Sequence, residues 1–172
     1  MIFRWAAGVV DVWLSVGRAL RTWAVRPASL RDWWRTLPGD LLGLVVMLGL
    51  GIERHTRIYD AGDVRAFVVE DERIGRYFRF HLIPTRAQTL GRYVLARSTL
   101  DDETLAHECE HIRQWQRFGP LYLPAYLGSS AVAFLRGGRP YWDNRFEAAA
   151  RRRAAAGVSA GSSIAERDGG EG

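Results

Sequence analysis

Apolar residues recur at helical spacing from Ile2 to about Val25, through Phe3, Ala6, Val10, Trp13, Gly17, Leu20 and Trp23, with Arg4, Asp11, Arg18 and Arg21 between them. That rhythm predicts an amphipathic, tryptophan-bearing helix. Pro27 breaks it, and Ala28 to Trp34 reads as a short second helix capped by Ser29. Pro38-Gly39-Asp40 is expected to close this arm, residues 1–37. The uncharged run Leu41 to Ile52 falls short of the roughly twenty residues that span a bilayer. It reads as a buried helix.

From Thr56 the period shortens towards two. Thr56 to Tyr59 and Ala66 to Glu70 read as strands joined by the turn-rich Asp60-Ala61-Gly62-Asp63, Tyr77 to Ile83 as a third, and Arg92 to Ala96 as the most strand-like piece. A helix is then expected with its cap at Ser98 or Thr99, acid in its first turn, and its end near Phe118-Gly119-Pro120. The charge-free stretch Phe118 to Leu135, interrupted by Pro124 and Gly128-Ser129-Ser130, is expected to be a buried wall. Arg136 to Pro140 is a loop, and another helix starts near Asn144, a good N-cap before an alanine-rich run. The Gly, Ser, Glu and Asp content from Gly157 onward indicates a disordered tail, residues 157–172.

The helix ending at Phe118 carries His107-Glu108-Cys109-Glu110-His111, an H-E-x-x-H pattern. Imidazoles four residues apart stack one turn above each other and can meet a single tetrahedral Zn²⁺. Glu108 leans off beside them, placed to act on a zinc-bound water as general base. A third ligand is needed. Glu147 is the candidate, 147 − 111 = 36 residues after His111, near the start of the later helix. The same Glu has two other employments there, a capping box with Asn144 and an i,i+4 pair with Arg151. Gln114 follows the histidines at helical spacing and can orient a ligand from behind, while Tyr122 and Tyr126 are candidates to donate to an oxyanion or support a ligand. Cys109 projects about 200° from His107 and reads as a small buried residue. His55 and His81 lack ligand spacing and read as structural.

These residues carry a resemblance. H-E-x-x-H followed by a Glu on a later helix resembles the gluzincin class of zinc metallopeptidases in a reduced form. The wider pattern adds Thr89-Leu90-Gly91, Gln114, Gly119-Pro120, Pro124-Ala125-Tyr126 and Asn144-Arg145-Phe146-Glu147. Across about residues 54–156 it is similar to small bacterial proteins predicted to be zinc-dependent. The chain departs from well-studied gluzincins in having no Asn-Glu-x-x-Ser-Asp segment around the third ligand. The resemblance implies an α+β, reduced zincin-like domain over residues 38–156. It would have a small antiparallel or mixed sheet, a metal helix and a third-ligand helix. It also implies that Thr89 to Ala96, beginning with Thr89, Leu90 and Gly91, is an edge strand that pairs with an extended substrate peptide. An ordinary central strand is the competing reading.

Composition narrows the setting. All 24 basic residues of this 172-residue chain are Arg, and the net charge is +5. Apart from Arg151-Arg152-Arg153 they are scattered, with no nucleic-acid module, so no nucleic-acid partner is expected. One cysteine excludes an intrachain disulfide and fits a reducing, cytoplasmic compartment. The N-terminal arm is a candidate for peripheral contact with the inner face of the membrane. The expectation is a zinc-dependent hydrolase, a metallopeptidase acting on a peptide or protein. The alternative is a zinc-stabilised structural or interaction protein with little or no catalysis. A membrane adaptor without metal is a third reading.

Overall fold

Four short strands gather the apolar residues of the central region into one mixed sheet. β1 (Arg57–Asp60) and β2 (Arg65–Glu70) form one antiparallel pair, and β3 (Ala87–Leu90) and β4 (Tyr93–Ala96) another. β4 lies parallel to β2, which gives the order β1-β2-β4-β3. Around the sheet run α1 (Leu30–Gly49), α2 (Ile74–Phe78), α3 (Asp102–Phe118), a 3₁₀ turn at Gly119–Leu121, α4 (Tyr122–Leu135) and α5 (Arg145–Asp168). The structure, a computed structural model, describes residues 30–53, 57–79 and 85–168. The helix expected from Ile2 to Val25, the Ser29 cap, His55 and His81 lie outside the described residues.

The inner strands are buried on both faces, and so read as continuous apolar runs. Alternation sends Ala66, Val68, Val94 and Ala96 to one face, where they pack on Leu105, Cys109 and Ile112 of α3. Phe67, Val69, Tyr93 and Leu95 take the other face, against Met47 of α1 and Ile74 and Phe78 of α2. The metal-motif helix is thereby seated on the sheet by its apolar stripe. Its polar residues are left for the opposite side, where α5 crosses it with Ala150 and Ala154 fully or nearly buried. Those small side chains let the two helix axes come close.

Several expectations need correction. Pro38-Gly39-Asp40 does not close an arm: α1 runs through it, from Leu30 to Gly49, across the boundary drawn between residues 37 and 38. A Pro in a helix interior costs about 3 kcal/mol, and here tertiary contacts offset it. Gly39 lies so close to the β3–β4 turn that a Cβ on it would sit 2.3 Å from the Gly91 nitrogen. Asp40 Oδ1 accepts from the Arg92 backbone N–H at 2.6 Å, and Oδ2 from the Arg92 guanidinium at 2.9 Å. The run from Leu41 is only half buried, with Leu41, Leu42, Val45 and Leu48 exposed.

Tyr77 and Phe78 belong to α2 instead of a third strand, because Ile74 and Phe78 at i,i+4 both reach the sheet; residues 80–84 lie outside the described residues. Thr89 to Ala96 is a hairpin, not one strand. Thr89 and Leu90 sit on the edge strand β3, Gly91 takes φ +63° in a two-residue turn, and β4 is central. The cap of α3 is Asp101, whose side chain accepts from the Thr104 N–H at 2.7 Å, three residues after Ser98 and two after Thr99. α4 is mostly exposed, with only Tyr122 and Ala133 buried, because no described element covers its outer side. The backbone stays helical past Gly157 to Asp168, the alanine-rich run before it having high helix propensity.

Candidate metal centre

α3 aims His107 and His111 at α5, and α5 returns Glu147. Asn144 fixes the start of that return. It is fully buried, its Oδ1 accepts from the Phe146 N–H at 2.8 Å, and its Nδ2 donates to the Tyr126 carbonyl and Ser130 Oγ at 3.1 and 2.8 Å. The N-cap therefore ties α5 to α4 as well as starting the helix. Glu147 is not engaged in a capping box. Its carboxylate turns inward, and the Arg151 partner stands at 4.0 Å.

The two Nε2 atoms lie 3.2 Å apart. Glu147 Oε2 is 3.3 Å from His107 Nε2, and Oε1 is 3.3 Å from His111 Nε2. Ligand bonds of about 2.0–2.1 Å in a tetrahedron put donor atoms about 3.3 Å from one another. The observed separations match that edge. Glu147 Oε2 is also buried without a hydrogen bond, although an imidazole nitrogen stands 3.3 Å away. A buried carboxylate oxygen in that state, facing two ring nitrogens, is what a cation would satisfy. His107, His111 and Glu147 could hold a metal ion.

Supporting groups fix the ligands. Gln114 Nε2 donates to the Phe146 carbonyl at 3.0 Å, which turns its Oε1 to His111 Nδ1 at 2.9 Å. Nδ1 then carries a proton, which leaves Nε2 as the nitrogen that faces Glu147 and that would bind a cation once deprotonated. Tyr122 reaches the same Nδ1 at 3.1 Å, on the side of the ring away from the ligand cluster. It is a support for His111, not an oxyanion donor in this arrangement. Tyr126 donates to Glu147 Oε1 at 2.7 Å, which also makes it a ligand support. Tyr141, which sequence reasoning missed, is half-buried close enough to Glu147 to feel its charge; an aromatic just ahead of the third-ligand helix was the only signal. Burial first, then the negative charge of Glu147, pushes the hydroxyl pKa of Tyr122, Tyr126 and Tyr141 upward, so all three stay protonated.

Burial pulls the His111 pKa down, but Glu147 and the charge of Glu108 outweigh it and raise the value to about 9. For Glu147, burial pushes upward and the two imidazoles win, holding it well below the usual carboxylate range. The metal-free cluster is thus an anionic carboxylate beside a protonated ring.

Glu108 projects towards the sheet edge. Its Oε2 accepts from Thr89 Oγ1 at 2.6 Å, and the residue is nearly buried. The Thr89 side chain is therefore engaged by Glu108, a pairing that no spacing along the chain reveals. Leu90 is buried in the core, and Gly91 lies beneath α1 in the hairpin turn. Cys109 points into the sheet-side core, and burial raises its thiol pKa to about 11. Asp101 caps α3, and Glu110 pairs with Arg113 at 3.3 Å. No family model matches the chain, and no curated protein or solved structure is similar to it.

Proposed function

We propose that this protein is a zinc-dependent hydrolase of the metallopeptidase kind, with His107, His111 and Glu147 as ligands and Glu108 as general base. The carrying observation is the 3.2–3.3 Å spacing of ring nitrogens and carboxylate oxygens delivered by two separate helices. Two imidazoles and one carboxylate are the donor set of catalytic zinc sites, which keep a fourth position open. Zinc there supplies a Lewis acid that acidifies water and polarises a carbonyl.

The chain's own residues do the rest. Gln114 holds a His111 proton on Nδ1, and Tyr126 holds the Glu147 carboxylate, so two of the three candidate ligands are oriented before any ion arrives. Glu108 accepts a proton at its carboxylate and returns it to the leaving amine, while Thr89 restrains which way that carboxylate turns. A peptide or protein is the substrate class this chemistry serves.

One observation favours a second reading, a zinc-stabilised structural protein: Glu108, His111 and Glu147 are all nearly buried. Glu108→Gln separates the two. Under the first reading the purified variant keeps stoichiometric zinc and loses cleavage of a casein or mixed-peptide substrate. Wild-type zinc content with no cleavage by either protein supports the second.

A further inference from the structure

α4 carries no charge. Leu127, Phe134 and Leu135 on it are 64, 66 and 82% exposed, and Leu121 just before it is 68% exposed. No acid occurs between Glu110 and Asp143, whereas Arg117, Arg136 and Arg139 border the apolar run. None of these three guanidinium groups has a carboxylate partner among the described residues. Trp142, half exposed, stacks with Arg139 and Arg151 at 5.8 and 5.2 Å.

We propose that α4, with Leu121 before it and Trp142 after it, docks in the plane of an anionic phospholipid surface, its leucines and Phe134 below the headgroups and Arg117, Arg136 and Arg139 among the phosphates. Charge selects this occupant. A second copy seated face to face would bring two sets of unpaired arginines together. Residues 1–29 hold four Arg and one Asp, so that segment is positive too and does not complement the rim. A negative surface does, and exposed tryptophan with arginine is the composition of a membrane interface.

The helix lies flat. Fourteen residues extend only about 21 Å, against a hydrocarbon core of about 30 Å. The continuous helical run Asp102–Leu135 is long enough to span, but it includes charged α3, which carries the H-E-x-x-H motif and packs on the sheet, so it does not cross as one span. Because α4 also supplies Tyr122 and Tyr126 to the metal centre, docking holds that centre within about one helix diameter, roughly 10 Å, of the lipid surface. The docking itself requires neither metal nor catalysis.

The test is co-sedimentation of the full-length protein with vesicles of phosphatidylglycerol and phosphatidylcholine, beside vesicles of phosphatidylcholine alone. Wild type should bind the anionic vesicles and be released as salt rises towards 1 M, where screening shortens to about 3 Å. Leu127→Asp with Leu135→Asp, both at exposed positions, should weaken the partition about ten-fold or more while zinc content and circular dichroism stay unchanged. In parallel, Leu127→Cys carrying an environment-sensitive dye should shift to the blue on vesicle addition; buried Cys109 leaves the label specific. Absence of wild-type binding overturns the proposal. So does an unchanged partition in the double variant, an unshifted dye, or a dimer in light scattering that the double variant abolishes without vesicles.

Discussion

Thr89 donates its hydroxyl to Glu108 at 2.6 Å, across the gap between the sheet edge and the metal-motif helix. The bond joins the motif's acid to a strand, so the position of Glu108 is set by tertiary structure as well as by its place on α3. Thr89→Val keeps the shape and removes the donor, leaving a nearly buried carboxylate oxygen unpaired. The expected cost is about 1–3 kcal/mol, read by urea denaturation, with Thr89→Ser recovering most of it. Zinc content should be unchanged in both, since neither change touches a ligand. If the hydrolase reading holds, Thr89→Val also lowers kcat more than it raises KM.

The second prediction concerns His111 and what stands behind it. Gln114→Ala leaves all three ligands in place but frees the His111 ring to turn and to move its proton. Zinc affinity should fall about ten- to a hundred-fold, measured by competition with a chromophoric chelator. Gln114→Glu preserves the acceptor at Nδ1 and should lose less. His111→Ala and Glu147→Ala should lose stoichiometric zinc altogether. An unchanged zinc content in Glu147→Ala would remove Glu147 from the ligand set.

These supports also mark what the sequence could and could not reveal. The pair His107 and His111 was legible because one helical turn is local geometry. Glu147 was legible because Asn144 begins a helix at the right distance. β2 and β4 were readable because strands buried on both faces are apolar throughout. The Thr89–Glu108 bond was not, since it depends on β3 register against α3. The continuity of α1 through Pro38 was hidden for a similar reason. Local propensity argues for a stop there, and tertiary contacts overrule it, among them the Asp40–Arg92 bonds and the close approach of Gly39 to Gly91. Exposure of α4 was missed because charge-free sequence is the same for a buried wall and an uncovered one.

The third prediction is a pair of opposed pH trends. In the metal-free chain His111 has a pKa raised from 6.5 to about 9. A raised value means the fold prefers the protonated ring. That contribution is fully present below about 6.5 and is lost as pH rises through about 9. Glu147, depressed below its ordinary 4.5, adds stability that is present above that value and lost as pH falls. The melting temperature of metal-free protein should therefore decline between pH 6.5 and 9. On the proposed zinc reading the ion displaces the proton on His111 Nε2, so apparent zinc affinity should climb over that range by up to about ten-fold per pH unit. Melting curves with and without chelator should accordingly diverge as pH rises.

The last prediction sets one substitution against itself at two glycines. Both Gly39 and Gly128 lie inside helices, where Ala is ordinarily better by about 0.5–1 kcal/mol. At Gly128 an added Cβ meets open space, so Gly128→Ala should stabilise by about that amount. At Gly39 it would stand 2.3 Å from the Gly91 nitrogen and 3.0 Å from the Trp115 ring. The obstacle is backbone, which cannot swing aside as a side chain would. Relieving it moves α1 off the hairpin and stretches the Asp40–Arg92 bonds, where Asp40 is fully buried and its partner nearly so. Gly39→Ala should therefore destabilise by about 3 kcal/mol or more despite the gain in helix propensity. Thermal unfolding of the two variants beside wild type checks the sign at each site. Equal shifts in the same direction would show that α1 does not lie against the β3–β4 turn as described.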